Sequence, residues 1–545
     1  MSAWDETFDV VVCGFGGAGA CAAIEAADEG ARVLVLERFE GGGATRKSGG
    51  VIYAGGGTDV QSRAGVSDSV DAMLAYLRAE TEGAIPEEAL RAFAAESAAQ
   101  IRWLEGLGLE FPPLLFEAKT TQPPDEYGLY YSGNEKQRAS IAKPAARGHV
   151  PAGPGMTGKV LFAALERAAL SRAIEVRRGA QPLRLVLERD EVVGLEVLSL
   201  PDVPSVRRAH AALALFATAD ASARSRLTDF ERRYGRIARI RAKGGVVLAT
   251  GGFVWSPEMM ARHAPAYAGC MPLGTVGDDG SGIELGRSVG GALANMDRCA
   301  ASRFFAPPEA FTHGLLVDAG GRRICDESLY GATISAQIAA HGGRAFLVVD
   351  RRILEQAMEE LRAEEKILGR PLASILAGDV NHLIFRKYCA LVNAYVNRHR
   401  ADTLEELERV AGIPAGALVE TVRAHREVVS RGLPDPLGKA RELLAPLDSA
   451  PYYAIRCDLD SRLFPGPCIT LGGLRIDHAT GTVLRDDGSP IVGLHAAGRA
   501  AAGIASRSYV SGLSLADCIH SGRRAGRAAA ADARVRGRGG PVIEA

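Results

Sequence analysis

The sequence predicts an α/β chain in which one large domain is interrupted by a smaller α+β domain. Three observations lead there. An apolar run, Phe8 to Cys13, passes directly into a glycine cluster and then into an Ala-rich helical stretch. At 545 residues the chain is too long for one hydrophobic core. The charged segments Arg351 to Glu365 and Leu404 to Arg431 read as amphipathic helices of a separate unit.

The first element is the most specific. Phe8 to Cys13 has the composition of a buried parallel strand, and Gly14-Phe15-Gly16-Gly17-Ala18-Gly19 follows at once. Ala20 to Glu29 is helical and Gly30 ends it. Arg32 to Leu36 forms a second strand that finishes at Glu37. This is a Rossmann-like G-x-G-x-x-G unit in its required strand–helix–strand context. Gly14 allows the tight turn, Gly16 lets backbone approach a pyrophosphate, and Gly19 lets helix and strand pack closely. The helix N-terminus, with Gly17 and Ala18, offers N–H groups to phosphates, and Glu37 can accept from a ribose diol.

The next loop separates FAD from NAD. Arg38 leads into Gly41-Gly42-Gly43-Ala44-Thr45 and Ser48-Gly49-Gly50, glycine-rich backbone that an NAD site does not need. It suits the longer pyrophosphate and ribityl arm of FAD. With these residues on the page, the chain resembles the flavoprotein family of fumarate reductases, succinate dehydrogenases and 3-ketosteroid dehydrogenases.

Other segments carry the same resemblance. They are Trp103 to Gly108, the Ala249-Thr250-Gly251-Gly252 turn after a strand, and Gly277-Asp278-Asp279-Gly280-Ser281-Gly282. Gly314 to Ser328 is similar to the start of the family's capping domain, and Thr470 to Leu474 and Leu494 to Arg499 to its returning strands. The resemblance implies an FAD-binding domain built from 1–305 and 450–530, interrupted by a substrate or capping domain at 306–449. Thr250, Gly251, Asp279, Gly498, Ser514 and Leu515 then join the glycine unit and Glu37, Arg38, Thr45, Ser48, Gly49 and Gly50 as cofactor-binding positions.

Two departures stand out. The first His of the chain is His149, so the covalent His attachment of succinate dehydrogenases is excluded and FAD is expected to be bound non-covalently. Pro182 stands where the resemblance implies an apolar residue whose backbone N–H and C=O clasp adenine, and Pro has no N–H.

The chemistry is read from Ser506-Arg507-Ser508-Tyr509-Val510-Ser511-Gly512. Fumarate reductases carry a carboxylate-clamping Arg where alignment on Gly512 places Tyr509. A phenol cannot replace a guanidinium in that role, but it can donate to a ketone oxygen. Arg507, two residues earlier, keeps the fumarate reductase reading in play. The Tyr-x-Ser sequence resembles 3-ketosteroid Δ4-(5α)-dehydrogenases, whereas Δ1-dehydrogenases have a Tyr-Pro-Gly type sequence. That resemblance implies a catalytic set of Tyr330, Tyr509 and Ser511. Gly512 offers a backbone donor, and Tyr130 and Tyr131 are candidates for lining the steroid cleft. The implied reaction acts on a CH–CH group: α-proton removal at C4, with the C5 hydrogen passed as hydride to flavin N5, in steroid or bile-acid metabolism. The alternatives are a Δ1-dehydrogenase, a fumarate-reductase-like ene reductase and, in another class, an electron shuttle.

Composition bounds the partners. The net charge is −1, which leaves no basic excess for nucleic acid. Nine cysteines without Cys-x-x-Cys spacing argue against metal, iron–sulfur and haem sites. No apolar run reaches the roughly 18–20 residues of a spanning helix, and Trp4, Asp5 and Glu6 stand where a signal peptide would be basic. The chain reads as cytoplasmic, with peripheral membrane contact left open and the electron acceptor, steroid side chain and ring-fusion stereochemistry undetermined. An Ala/Arg-rich stretch at about 200–238 reads as a surface helical excursion, with partner or membrane contact as the alternative. The Arg/Gly-rich tail 534–545 reads as disordered.

Overall fold

The computed structural model describes residues 4–303, 306, 308–368, 390–461, 463 and 466–538. β1 (Glu6–Cys13) leads into α1 (Gly17–Asp28) and β2 (Val33–Glu37). The chain returns through β3 (Glu175–Arg178), β4 (Ala180–Glu188) and β5 (Glu191–Ser199). The excursion then folds as two helices, α2 (Pro204–Phe216) and α3 (Ala221–Tyr234), before the long strand β6 (Arg236–Leu248).

A second sheet follows, made of β7 (Leu315–Asp318), β8 (Ala345–Asp350), β9 (Arg398–Ala401) and β10 (Tyr452–Arg456), with α4 (Gly331–Ala340) between β7 and β8. The chain then goes back to the first unit with β11 (Thr482–Leu484), β12 (Pro490–Ala496) and α5 (Leu513–Arg538).

The first sheet has the order β11-β12-β6-β1-β2-β3, with β5 on β6 and β4 on β5. β1 pairs in parallel with both β2 and β6. Val10 to Cys13 are fully buried there, as their unbroken apolar run requires. The strands on either side of β1 belong to connections that leave in opposite directions. A crevice therefore opens beyond the carboxyl end of β1, where this class of sheet binds its ligands.

The second sheet is antiparallel throughout, in the order β7-β8-β10-β9. This corrects the boundary expected at 449/450. Tyr452 to Arg456 pair with Asp350 to Phe346 and are integral to the second sheet, so the return to the first unit comes after them. The tail needs correction too. Arg534 to Arg538 continue α5, where Arg534 bonds Glu29 at the C-terminal cap of α1; residues 539–545 lie outside the described residues. The eight described cysteines are free thiols, and Cys389 lies outside the described residues. No helix among the described residues is long and apolar enough to cross a membrane.

α5 packs along α1 through two glycines one turn apart. A Cβ on Gly522 would stand 2.3 Å from the Ala18 carbonyl oxygen, and one on Gly526 would stand 2.2 Å from that of Ala22. Both obstacles are backbone, so a methyl there forces the helices apart. Gly526→Ala should cost about 1–3 kcal/mol, the ordinary penalty of overpacking. The check is the midpoint of thermal or urea unfolding, which must fall.

Candidate functional site

A cavity of about 510 Å³ runs from the carboxyl end of β1 to the start of α5. One end is walled by Glu37, Arg38, Phe39, Gln181 and Pro182. The middle is lined by Gly14, Gly16, Gly17, Ala18, Thr45, Ser48, Gly49, Gly50, Thr250, Gly251 and Gly498. The far end holds Tyr330, Tyr509, Ser511, Gly512, Ser514 and Leu515.

The three motif glycines differ in what surrounds them. Gly14 has φ +101°, and a Cβ there would be 2.5 Å from the Ala249 carbonyl oxygen. Gly16 leaves its side-chain space open to the cavity, with no protein atom nearer than 3.8 Å to a Cβ. Gly19 does not line the cavity; it carries the contact of α1 with the turn after β1, with a Cβ position 1.9 Å from the Gly14 carbonyl oxygen.

Glu37 is buried, and its oxygens accept from the backbone N–H of Phe15 (2.9 Å) and Phe39 (2.7 Å). Burial raises the pKa of its carboxyl, and those two N–H groups act the other way. Each oxygen keeps a lone pair for a diol at the cavity wall.

Asp279 is not among the cavity-lining residues; it pairs at 2.8 Å with Arg38, which is, while its neighbour Asp278 lines the cavity. The Asp278 carboxylate accepts from the N–H of Gly252 (3.2 Å) and Thr275 (3.0 Å) and pairs with Arg499. Neither Asp278 nor Arg499 was singled out from the sequence as a site residue. Two buried polar atoms of cavity-lining residues, Thr250 Oγ1 and Arg499 Nη1, have no hydrogen-bond partner among the described residues. Together with the open Gly16 and the start of α1, they fit an elongated diphosphate-bearing ligand.

The FAD-binding-domain family matches residues 9–512. The chain belongs to that family. FAD is therefore the cofactor of this flavoprotein, and the residues just described are those that would hold it. The flavoprotein is 34% identical over 515 residues to a 3-oxo-5-alpha-steroid 4-dehydrogenase of Comamonas testosteroni, which covers 91% of this chain and 93% of that one. It is 26% identical over 539 residues to a cytochrome-type fumarate reductase of Shewanella frigidimarina, 97% of this chain and 78% of the relative. Among solved structures it is similar to the 3-ketosteroid-Δ4-(5α)-dehydrogenase of Rhodococcus jostii RHA1 in complex with 4-androstene-3,17-dione. That likeness has a TM-score of 0.78 and 32% identity, and covers 97% and 98% of the two chains.

At the far end of the flavoprotein's cavity, Tyr330 caps the N-terminus of α4, and its N–H donates to Asn134 Oδ1 at 2.6 Å. Tyr509 lies across from it, with ring centroids 6.4 Å apart. Ser511 is held at its backbone: its N–H donates to the Ser132 carbonyl (3.1 Å), and Ser132 Oγ donates to the Ser511 carbonyl (3.0 Å). Gly512 has φ +90°, and a Cβ there would be 2.7 Å from Tyr53 N, so the turn into α5 requires glycine.

Tyr130 and Tyr131, expected at the substrate cleft, are not among the residues lining this cavity. Tyr130 is fully buried behind Ser511, with its hydroxyl 3.2 Å from Ser511 Oγ and from the Thr121 carbonyl. Tyr131 faces a separate cleft, where Lys136 stands 4.5 Å from its ring. Arg507 also leaves the site; its guanidinium bonds Glu82 at 2.9 Å and does not line the cavity.

Burial raises the pKa of the Tyr330 hydroxyl well above the ordinary phenol value; the neighbouring phenols of Tyr509 and Tyr130 add to this, and hydrogen bonds with Ser511 and Ser302 act against it. Burial likewise raises the pKa of Tyr509. A phenol is neutral when protonated, so a raised pKa extends its donor form to higher pH. The rate of flavin reduction should therefore stay level through about pH 10, where an ordinary tyrosine would titrate. A stopped-flow pH profile checks this, and a break near that pH would contradict it.

Proposed function

We propose that this flavoprotein dehydrogenates a 3-ketosteroid at C4–C5. The observation that carries the reading is the convergence of Tyr330, Tyr509 and Ser511 on the end of the cofactor cavity where α5 begins. The dehydrogenases of Comamonas testosteroni and Rhodococcus jostii, which bear this activity in their names, support it. On this reading the first sheet is a Rossmann-like FAD-binding domain and the second unit a cap that supplies Tyr330 from the start of α4.

Each residue has a role its surroundings suit. The Tyr509 hydroxyl, neutral by burial, donates to the C3 ketone oxygen, and the Gly512 N–H is a second candidate donor. This stabilises the charge that builds on that oxygen as the C4 proton leaves. Ser511 Oγ accepts the proton. A lone hydroxyl is a weak base, and the hydrogen bonds of Ser511 with Tyr330 and Tyr130 give the proton a path onward. Bound FAD supplies the hydride acceptor. The carbons lose one proton and one hydride, which leaves the C4–C5 double bond.

Arg507 weighs against a dicarboxylate substrate, since its guanidinium is engaged by Glu82 outside the cavity. The test is anaerobic mixing of the yellow protein with 5α-androstane-3,17-dione, 4-androstene-3,17-dione and succinate. Bleaching by the saturated ketosteroid alone is expected. Bleaching by the 4-ene would replace the reading with Δ1 chemistry, and bleaching by succinate with the fumarate reductase one.

A further inference from the structure

The helical excursion is inserted between two residues that are already paired. Ser199, at the end of β5, is the cross-strand partner of Arg236, at the start of β6. A short turn could join these strands, yet the chain orders α2 and α3 between them. Their inner faces pack on the nucleotide end of the FAD cavity. Ala217, Ala223 and Leu227 form a small core with Val276, and Phe39 and Trp255 pack against it.

The polar contacts point the same way. Glu231 on α3 is 2% exposed, and its carboxylate takes two hydrogen bonds from Arg38, Nε to Oε1 and Nη2 to Oε2, both 2.8 Å. Gln181 Nε2 donates to the same carboxylate at 3.2 Å, and His210 Nε2 of α2 lies 2.8 Å from it. The His210 ring stacks on Phe39, with centroids 5.4 Å apart and planes 12° from parallel. Arg38, Phe39 and Gln181 all line the cavity; no residue of α2 or α3 does.

We infer that the hairpin 204–234 is a buttress that retains FAD by fixing, from behind, the residues walling the adenylyl half of its cavity. The Arg38 guanidinium has Nε and Nη2 bonded to Glu231 and Nη1 to Asp279, so its plane is set before any ligand enters. Without Glu231 the guanidinium and the adjacent Phe39 lose their backing, and the wall next to Glu37 becomes mobile. Pro182 sharpens the need, since this wall lacks one backbone donor. Preorganisation of this kind acts on residence time more than on contact area.

The test is FAD release from diluted holoenzyme, followed by the fluorescence of the freed flavin. Two variants are compared with the native protein: Glu231→Gln, and a chain in which 201–234 is replaced by Asn-Gly. The shortened chain should release FAD at least tenfold faster and Glu231→Gln several-fold faster. The absorption band of the flavin that stays bound should keep its position, because the isoalloxazine end is untouched. Release within twofold of the native rate in Glu231→Gln would overturn the inference, even if the shortened chain does not fold. A shifted flavin band in that variant would also overturn it, because the loss would then be general rather than confined to the adenylyl end.

Discussion

Ser511→Ala should slow flavin reduction by a saturated 3-ketosteroid by about 10²–10⁴-fold, the ordinary range for loss of a positioned proton acceptor. Tyr509→Phe should cost about 10²–10³-fold, as loss of one hydrogen-bond donor to a developing oxyanion does. Tyr330→Phe belongs with them, because its hydroxyl bonds Ser511 and the proton has to leave that oxygen. The three losses should not add. If one relay serves the reaction, Ser511→Ala combined with Tyr330→Phe is little worse than the poorer single variant. All three should still bind FAD, since the hydroxyls removed sit at the far end of the cavity from Gly14 to Ala18 and Glu37. Single-turnover reduction under anaerobic conditions reads the effect directly. A Ser511→Ala protein within a few-fold of the native rate would remove the proposed mechanism while leaving the fold and cofactor untouched.

Much of this site is legible in the sequence because it is local. The glycine unit, Glu37, and residues 45–50 each follow a strand or turn within a few residues, and a local geometric need fixes each identity. Gly512 is legible for the same reason, since the turn into α5 needs positive φ there, whereas Ser511 is reached through the resemblance carried by Tyr509-Val510-Ser511. What sequence reading misses is set by distant partners. The short Thr275 turn alone does not tell Asp278 from Asp279 in the sequence; Asp278 is also held by Arg499, 221 residues away. Arg507 reads as a site residue until Glu82, 425 residues away, draws it outward. The tyrosine pair did carry a signal. Tyr130 ends a short strand, and neighbouring residues on extended backbone face opposite sides, so Tyr130 and Tyr131 could not both line one cleft. The strand at 452–456 was misplaced because its partner, β8, lies about a hundred residues upstream, and pairing at that distance leaves no mark on the pattern.

Gly19→Ala should yield protein that is both less stable and stripped of FAD, whereas Gly16→Ala should lose FAD while its unfolding midpoint as apoprotein stays native. The two glycines belong to one motif but answer to different neighbours. At Gly19 the added carbon would lie 1.9 Å from the Gly14 carbonyl oxygen, which cannot give without moving the turn that closes β1. Relief requires α1 to lift off the sheet, and its first turn, Gly17 and Ala18, lifts with it away from the cavity. At Gly16 the nearest protein atom is the Gly42 carbonyl oxygen at 3.8 Å, an ordinary contact, so the protein itself has room for the methyl. Any loss of FAD there measures the space the cofactor needs. The FAD-to-protein ratio after gel filtration and the unfolding midpoint of each apoprotein separate the cases. A Gly16→Ala protein that kept its FAD would mean that the pyrophosphate does not run past this backbone, and the path of the cofactor through the middle of the cavity would have to be redrawn.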